Sequence, residues 1–285
     1  MIYSDLSLSQ KLERTEARAN ADFVKTRARL DPVSGAAWTE VGGAYAMFDG
    51  VESPLTQTFG LGVFEDASAE QLDVLESFFK ERNAPIFHEV SPMADQAILA
   101  LLVGRGYRPI ELTSVMYRDL TIHRPESVRL NPAINTRIVV DHEVDLWART
   151  SAAAWTAENP ALGEFMLKFG TVSAQCSGAF PYIAELDGEA IATGMLFIYD
   201  EVCILAGAST IPDARNRGAQ NALLSDRLRC ATEQGCKMAI MGAAPGSQSQ
   251  KNAQKNGFQI AYTRIKWQMF SCVLRCGVSQ IAGRS

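Results

Sequence analysis

The sequence predicts an α/β (α+β) protein built from two mixed β-sheets flanked by helices. Short apolar strand segments alternate with amphipathic helices along the 285-residue chain. In the second half, strands joined by tight turns lead into a strand–helix–strand crossover, and this combination requires antiparallel and parallel pairs in one sheet. The order of helices and strands in the second half also repeats an order present in the first, which indicates two copies of one fold.

A long helix opens the first half, and strands and helices alternate after it. Residues 6–29 contain no proline and carry an apolar stripe, which predicts a helix that ends at Asp31-Pro32. Ser68 and Gln71 have the spacing of a capping box and predict the start of a second helix. The predictions for this half are strands or loops at 37–50 and 56–64, helices at 68–82 and 94–106, and strands at 84–90 and 107–120.

The second half follows a stretch of little periodicity that contains two prolines, residues 121–135. This stretch predicts a linker between an N-terminal domain, 1–125, and a C-terminal domain, 136–285. Asp187-Gly188 stands between two strand segments and is a strong hairpin signal. The predictions here are strands at 136–140, 181–186, 189–199, 202–208, 237–243 and 258–270, and helices at 144–156, 161–175 and 248–256, with a further helix that opens near Gly218.

The repeated order is clearest where a helix ends at a glycine that an aromatic residue and a long strand follow. Gly106-Tyr107 and Gly257-Phe258 hold these positions in the two halves. The segments before them, 68–90 and 217–243, each predict a helix and then a strand.

Composition and charge exclude several classes of protein. The net charge of −5 and the pI of about 5.4 argue against nucleic acid as the main partner, since phosphate backbones recruit basic surfaces. No apolar run is long enough to read as a membrane span, and the N-terminus is too polar for a signal peptide. We therefore expect a cytoplasmic protein without a membrane partner, either a monomer or a homodimer.

The cysteines and histidines do not form a metal motif. Six cysteines are scattered through the second half without a C-x-x-C pair, and the chain has only three histidines. A zinc site needs about four well-spaced ligands. We expect free thiols and no bound metal.

Residues 214–228 contain two arginines and a glycine just before a predicted amphipathic helix. A helix N-terminus offers unpaired N–H groups and a favourable dipole to an anion, and glycine lets a ligand approach the backbone closely. Arg215 and Arg217 would add forked cations suited to phosphate oxygens. The alternative is a surface helix with solvated arginines. The Walker pattern and the G-x-G-x-x-G dinucleotide fingerprint are both absent.

The segment "RNRGAQ" resembles the motif [QR]-x-x-G-x-[GA] of the GNAT N-acetyltransferase family. Arg215 and Gly218 match its first two fixed positions, whereas Gln220 stands where the family has glycine or alanine. Gly257-Phe258 resembles the end of a later family helix, but Ala253 stands where the family often has a tyrosine. The resemblance covers residues 136–270 and, faintly, 36–120.

The resemblance implies that acetyl-CoA lies between the strand that ends near Ala208 and the strand that starts near Lys237. A neutral amine of a small molecule, amino acid or peptide would then attack the thioester directly, without a covalent enzyme intermediate. The residues that would bind the coenzyme are Ser209, Thr210, Ile211, Arg215, Arg217, Gly218, Ala219, Gln220, Asn221 and Asn252.

The proton transfers of such a reaction have several candidate residues. Glu185, Glu201 and Glu158 are candidates for the general base, although each is also explained as a surface carboxylate. Tyr262 is a candidate acid, with packing in the core as the alternative. Neighbouring polar candidates are Ser249 and Asn252.

Three further residues have open roles. Trp147 and Trp155 are eight residues apart and face similar directions, either into the core or toward an acceptor pocket. Ser247 is either a helix cap or a coenzyme contact.

The first copy lacks the glycine of the motif and carries carboxylates in the equivalent loop, at Glu65, Asp66 and Glu70. These charges would repel a diphosphate. We expect this copy to be a degenerate GNAT-like domain that binds no coenzyme. Two alternatives stay open for the whole chain: a non-catalytic acyl-CoA-binding regulator, and a structural protein that has lost the coenzyme.

Overall fold

The structure of the protein is a computed structural model that describes residues 2–122, 130–157 and 159–270. The helices α1 to α7 span Leu6–Leu30, Ala69–Lys80, Ala97–Gly104, Val144–Thr156, Gly163–Ser173, Ala219–Glu233 and Gln248–Lys255. The strands β1 to β11 span Ala37–Val41, Ala44–Phe48, Gln57–Phe59, Phe87–Val90, Tyr107–Asp119, Ile134–Ile138, Ala179–Leu186, Glu189–Tyr199, Val202–Thr210, Met238–Ala243 and Gln259–Met269. The predicted mixed α/β fold is confirmed.

Local sequence signals fix several of these elements. Ser68 accepts a hydrogen bond from the N–H of Gln71 at the start of α2, and the Gln71 side chain accepts one from the N–H of Ser68, which completes the predicted capping box. Asp187 and Gly188 adopt φ angles of 55° and 84°, as the tight turn between β7 and β8 requires. These elements follow from residues within a few positions of one another.

The strands form one continuous sheet instead of two separate ones. Its order is β1-β2-β3-β4-β11-β5-β10-β9-β8-β7-β6. The last strand of each half lies inside the other half, because β11 separates β4 from β5 and β5 separates β10 from β11. We call this arrangement the exchanged strands.

The helices cover both faces of the sheet. One face packs against α1, α4 and α5, which bury residues such as Phe23, Trp147 and Val172 with the alternate strand residues Val115 and Ile183. On the opposite face, α6 and α7 pack over the second half, and α2 and α3 pack over the first. Because α1 contacts β1 to β3 and also β8 and β9, this helix lies across the two halves.

A buried ionic cluster fastens α1 to the exchanged strands. Arg264 of β11 pairs with Glu16 at 2.8 Å, with Glu89 of β4 at 3.1 Å and with Glu13 at 3.3 Å. Tyr262 donates a hydrogen bond to Glu13 at 2.8 Å. Burial raises the pKa of Glu13 to about 7, although the charge of Arg264 opposes this shift.

Among residues 2–122, 130–157 and 159–270, no helix is long and apolar enough to cross a bilayer. In the same part of the chain, Cys176, Cys203, Cys230 and Cys236 are free and buried, and no group of acidic, histidine or cysteine side chains could hold a metal ion. Cys272 and Cys276 lie outside the described residues.

Candidate functional site

A pocket opens where two parallel strands separate. β9 and β10 pair only through residues 202–204 and 238–240, and they diverge toward their carboxyl ends. β9 carries an irregularity at Gly207, whose φ is 59°, opposite a register shift between Thr193 and Met195 of β8. A pocket of about 600 Å³ occupies this divergence. It lies at the carboxyl ends of the strands, where ligands of α/β sheets commonly bind.

Most of the predicted coenzyme-binding residues line this pocket. They are Ser209, Thr210, Arg215, Gly218, Ala219, Gln220, Asn221 and Asn252. The lining does not include Ile211 or Arg217. Ile211 donates its N–H to the carbonyl of Ile191 at 3.0 Å, and the carbonyl of Arg217 accepts from the side chain of Asn131 at 3.0 Å. The Arg217 side chain is exposed beside the pocket.

The start of α6 has the geometry of an anion site. Gly218 is the residue before the helix and has a φ of 95°, a conformation that favours glycine. The N–H groups of Ala219 and Gln220 make no hydrogen bond to another described residue, and both residues line the pocket. Two free donors at the positive end of a helix favour a phosphate group there.

Gln220 has a structural role that explains its departure from the motif. Its side-chain amide donates to the carbonyl of Ser209 at 2.8 Å and to the hydroxyl of Thr210 at 2.9 Å. The side chain therefore points away from the helix axis toward the end of β9. It ties the first turn of α6 to the strand and leaves the backbone N–H of Gln220 free.

Comparison with known proteins shows which family this part of the chain resembles. The sequence pattern of the acetyltransferase (GNAT) family matches residues 144–258, which include β9, α6, β10 and α7. These residues are therefore similar to a GNAT acetyltransferase domain, and for this similarity we call residues 144–258 the GNAT domain. A search of curated proteins gives no match to the chain.

Solved structures share the fold of the GNAT domain and of the first half. A GCN5-related N-acetyltransferase from Kribbella flavida aligns with a TM-score of 0.64 at 14% identity, over 89% of this chain and 95% of its own. A second, from Sphaerobacter thermophilus, aligns with a TM-score of 0.54 at 15% identity, over 79% of this chain and 76% of its own. A tandem GNAT protein from the clavulanic acid pathway aligns with a TM-score of 0.55 at 13% identity, over 79% and 77%. At these identities the likeness concerns the fold.

The two glutamates predicted as bases lie outside the pocket of the GNAT domain. Glu185 of β7 is held by Arg137 at 2.7 Å, on the outer strands of the sheet. Glu201 stands in the turn before β9, where it pairs with Lys237. The β9 residue of the pocket lining nearest to Glu201 in the chain is Leu205, four residues further on, about 13 Å away at the usual strand rise. Neither carboxylate is therefore placed to accept a proton in the pocket, and Glu158 lies outside the described residues.

Tyr262 also lies outside the pocket lining. It is buried on β11, and its hydroxyl is bonded to Glu13. Burial and the nearby charge of Glu13 raise the pKa of Tyr262. The alternative interpretation as a packed tyrosine fits this placement, because its proton is directed at Glu13 and away from the pocket.

The polar and aromatic candidates divide between core and pocket. Trp147 is buried and donates to the carbonyl of Tyr182 at 2.8 Å, whereas Trp155 lines the pocket. Ser247 caps α7 by accepting from Gln250, as the simpler interpretation predicts. Ser249 lines the pocket together with Asn252, on the side opposite α6.

Among the pocket residues that sequence reasoning missed, Arg227 is the charged one. This side chain is buried on α6 and lines the pocket. A signal was available, since Arg227 lies four residues from both Leu223 and Ala231, on the stripe of α6 that is otherwise apolar. A charged residue on a core-facing stripe needs a reason to be there.

Proposed function

We propose that the chain is an acetyl-CoA-dependent N-acetyltransferase that acts on an amine of a small molecule, amino acid or peptide. The observation that carries the proposal is the pocket between β9 and β10, with the free amides of Ala219 and Gln220 at one end. An anionic diphosphate fits these donors, and the separated strand edge of β9 offers backbone groups to a pantetheine arm. The GNAT domain match supports the same coenzyme.

Within this proposal the chain binds and orients the coenzyme. Gly218 is favoured by its φ of 95°, which turns the chain into α6, whereas a side-chain carbon there would make only an ordinary contact with Asn131, at 3.6 Å. Gln220 holds the two coenzyme-binding segments together. When bound, acetyl-CoA supplies the activated acyl group. The amine would then attack the thioester carbon directly.

We also propose that residues 1–125 are a degenerate copy of the GNAT fold with a scaffolding or substrate-shaping role. The order β3-α2-β4-α3-β5 repeats β9-α6-β10-α7-β11, and in each set the first and third elements are parallel strands. In the loop before α2, Glu65 accepts a hydrogen bond from Gln71, and Glu70 lies in the first turn of the helix. These carboxylates occupy the helix N-terminus that a diphosphate would need.

An isosteric charge change tests the proposed diphosphate site at the start of α6. Asn221 lies in the first turn of α6 and lines the pocket. Replacing it with aspartate, Asn221→Asp, favours the helix through its dipole but repels a diphosphate. We expect acetyl-CoA affinity, measured by calorimetry, to fall at least about tenfold while the melting temperature is unchanged. Asn83→Asp is the matched control, because Asn83 is exposed in the turn after α2; its affinity should equal that of the wild type.

The activity itself is tested by incubating the chain with acetyl-CoA and a panel of amines, with detection of free coenzyme A. Release above the hydrolysis background supports the transferase. Saturable binding without release would indicate the acyl-CoA-binding regulator. Absence of binding at millimolar coenzyme would refute both proposals and leave a structural role.

A further inference from the structure

Arg227 is a buried cation whose known partners are all backbone carbonyls. The side chain is 3% exposed. Its Nε donates to the carbonyl of Leu223 at 3.0 Å, and its Nη1 donates to the carbonyls of Met195 at 3.0 Å and Ala206 at 3.3 Å. Among the described residues, Nη2 has no hydrogen-bond acceptor and no carboxylate pairs with the guanidinium. Burying a charge in this way is costly unless a counter-charge arrives.

The backbone around Arg227 is built to admit it. Gly194 of β8 lies directly beneath the guanidinium, and a side-chain carbon there would come within 2.7 Å of Cζ. Ala206, which accepts from Nη1, immediately precedes the irregular Gly207 of β9. The guanidinium therefore lies against β8 and β9, close to the point where β9 diverges from β10. It forms part of the inner wall of the pocket.

The titratable groups that face Arg227 carry no charge at neutral pH. They are Cys203 of β9, whose pKa is raised by its hydrogen bond with Cys236 and by burial, and Tyr182 of β7, whose pKa is raised by burial. Burial lowers the pKa of Arg227 to about 10, so the guanidinium remains protonated at neutral pH. The guanidinium of Arg227 thus has no anionic side chain beside it among the described residues, and a bound ligand would have to supply its counter-ion.

The position along α6 indicates which part of a coenzyme this cation would meet. Arg227 follows the amides of Ala219 and Gln220 at the helix start by about two turns, which is about 11 Å along the axis. The pantetheine arm, which separates the diphosphate from the sulfur, is long enough to span that distance. Ala253 lies in the same pocket and has no hydroxyl to donate.

We infer that Arg227 stabilises the coenzyme A thiolate as it leaves. The inference rests on the proposed function. In the step concerned, the amine nitrogen forms a bond to the thioester carbon, the carbon–sulfur bond breaks, and its electron pair stays on sulfur. The amide nitrogen loses a proton to water, and the guanidinium keeps its own protons while it pairs with the anionic sulfur. The thiolate takes up a proton from solvent after release, which gives amide and free coenzyme A.

The acidity of the bound thiol tests this role without any turnover. Coenzyme A and desulfo-coenzyme A, which lacks the sulfur, are each bound to the wild-type chain, and the difference in ultraviolet thiolate absorbance is followed against pH. We expect the bound thiol to titrate at least about one pH unit below free coenzyme A, since a cation a few ångströms away favours the anion. In Arg227→Met the bound thiol should titrate as it does free in solution, and in Arg227→Lys most of the shift should return.

Kinetics give a second measurement. Arg227→Met should lower kcat about a hundredfold and leave the KM for acetyl-CoA within about threefold, because the charge acts as the bond breaks. Arg229→Met is the matched control, since Arg229 is exposed on the same helix and pairs with Asp226; it should change neither thiol acidity nor kcat.

The outcomes separate the two proposals. If the wild-type chain binds neither coenzyme A nor desulfo-coenzyme A, the proposed function fails, and this inference fails with it. If both bind and the thiol titrates as in free coenzyme A, only the role of Arg227 is refuted. The wild-type titration needs no variant, so the result stands even if Arg227→Met does not fold.

Discussion

Acid should destabilise the first half of the molecule through one buried histidine. His88 on β4 is fully buried, and its Nε2 lies 3.0 Å from the hydroxyl oxygen of Tyr107. That hydroxyl donates to Glu76 at 3.3 Å, so the imidazole hydrogen lies on Nε2, directed at the Tyr107 oxygen. The other nitrogen, Nδ1, is buried without a partner among the described residues. Protonation would place a new donor at Nδ1 with nothing to accept it.

The size of the effect follows from the pKa. Burial lowers the pKa of His88 from 6.5 to about 4, although the charge of Glu76 opposes the shift. Because the folded pKa is the lower one, the unfolded chain binds more protons, and stability is lost as pH falls from 6.5 toward 4. The full shift is worth about 3 kcal/mol, and about 2 kcal/mol of it is lost by pH 5.

Urea unfolding at pH 7.5 and pH 5 measures this loss in the wild type and in His88→Phe, which removes the titrating ring nitrogens. The wild type should lose about 2 kcal/mol more than the variant over this interval. His142→Phe is the control, since His142 is exposed before α4, and it should lose as much as the wild type. An equal loss in the wild type and in His88→Phe would show that Nδ1 can be protonated without cost, and the reasoning would be wrong.

Three further changes should affect stability in ways that the same unfolding assay resolves. Gly194→Ala forces a methyl group against the guanidinium of Arg227 and should cost about 1–3 kcal/mol; a variant as stable as the wild type would mean that the guanidinium moves freely. Ser68→Ala removes the capping box of α2 and should cost about 1 kcal/mol, a loss that should disappear if that helix end is already frayed. The pKa of Glu13 is raised from 4.5 to about 7 in the folded state, so the folded chain binds the proton more tightly than the unfolded chain. This binding stabilises the folded state by about 3 kcal/mol below pH 4.5, and the stabilisation is lost as pH rises through 7. Glu13→Gln should therefore lose less stability than the wild type between pH 5 and 8, and an equal loss would exclude Glu13 as the titrating group.

The sequence was sufficient for the elements whose determinants are local. The Ser68–Gln71 cap, the Asp187-Gly188 turn and the glycine before α6 each depend on residues a few positions apart. The position of β5 could not be read in this way. The alternation of side chains along a strand such as β5 shows which face is buried but not which strand pairs with either edge. Hydrophobic periodicity and strand propensity therefore do not distinguish β4 from β10 as a neighbour of β5.

The site shows the same division. The free amides at the start of α6 follow from one motif, whereas the neighbours of Arg227 come from three separate segments. Met195, Ala206 and Leu223 present only backbone carbonyls to it, and a carbonyl leaves no trace in the residue type. Gly194 is the residue whose type reflects the close approach of the guanidinium, but a single glycine in a strand has several explanations.

The exchanged strands make the two halves depend on one another for completion. A polypeptide cut near residue 125 would yield two fragments, each carrying a final strand that belongs in the other and each with a gap where a partner should pair. In each fragment, backbone N–H and carbonyl groups of some strands would lack their hydrogen-bond partners. The pocket between β9 and β10 borders β10, whose other neighbour is β5, so the half of the chain that holds this pocket relies on a strand of the first half to support it.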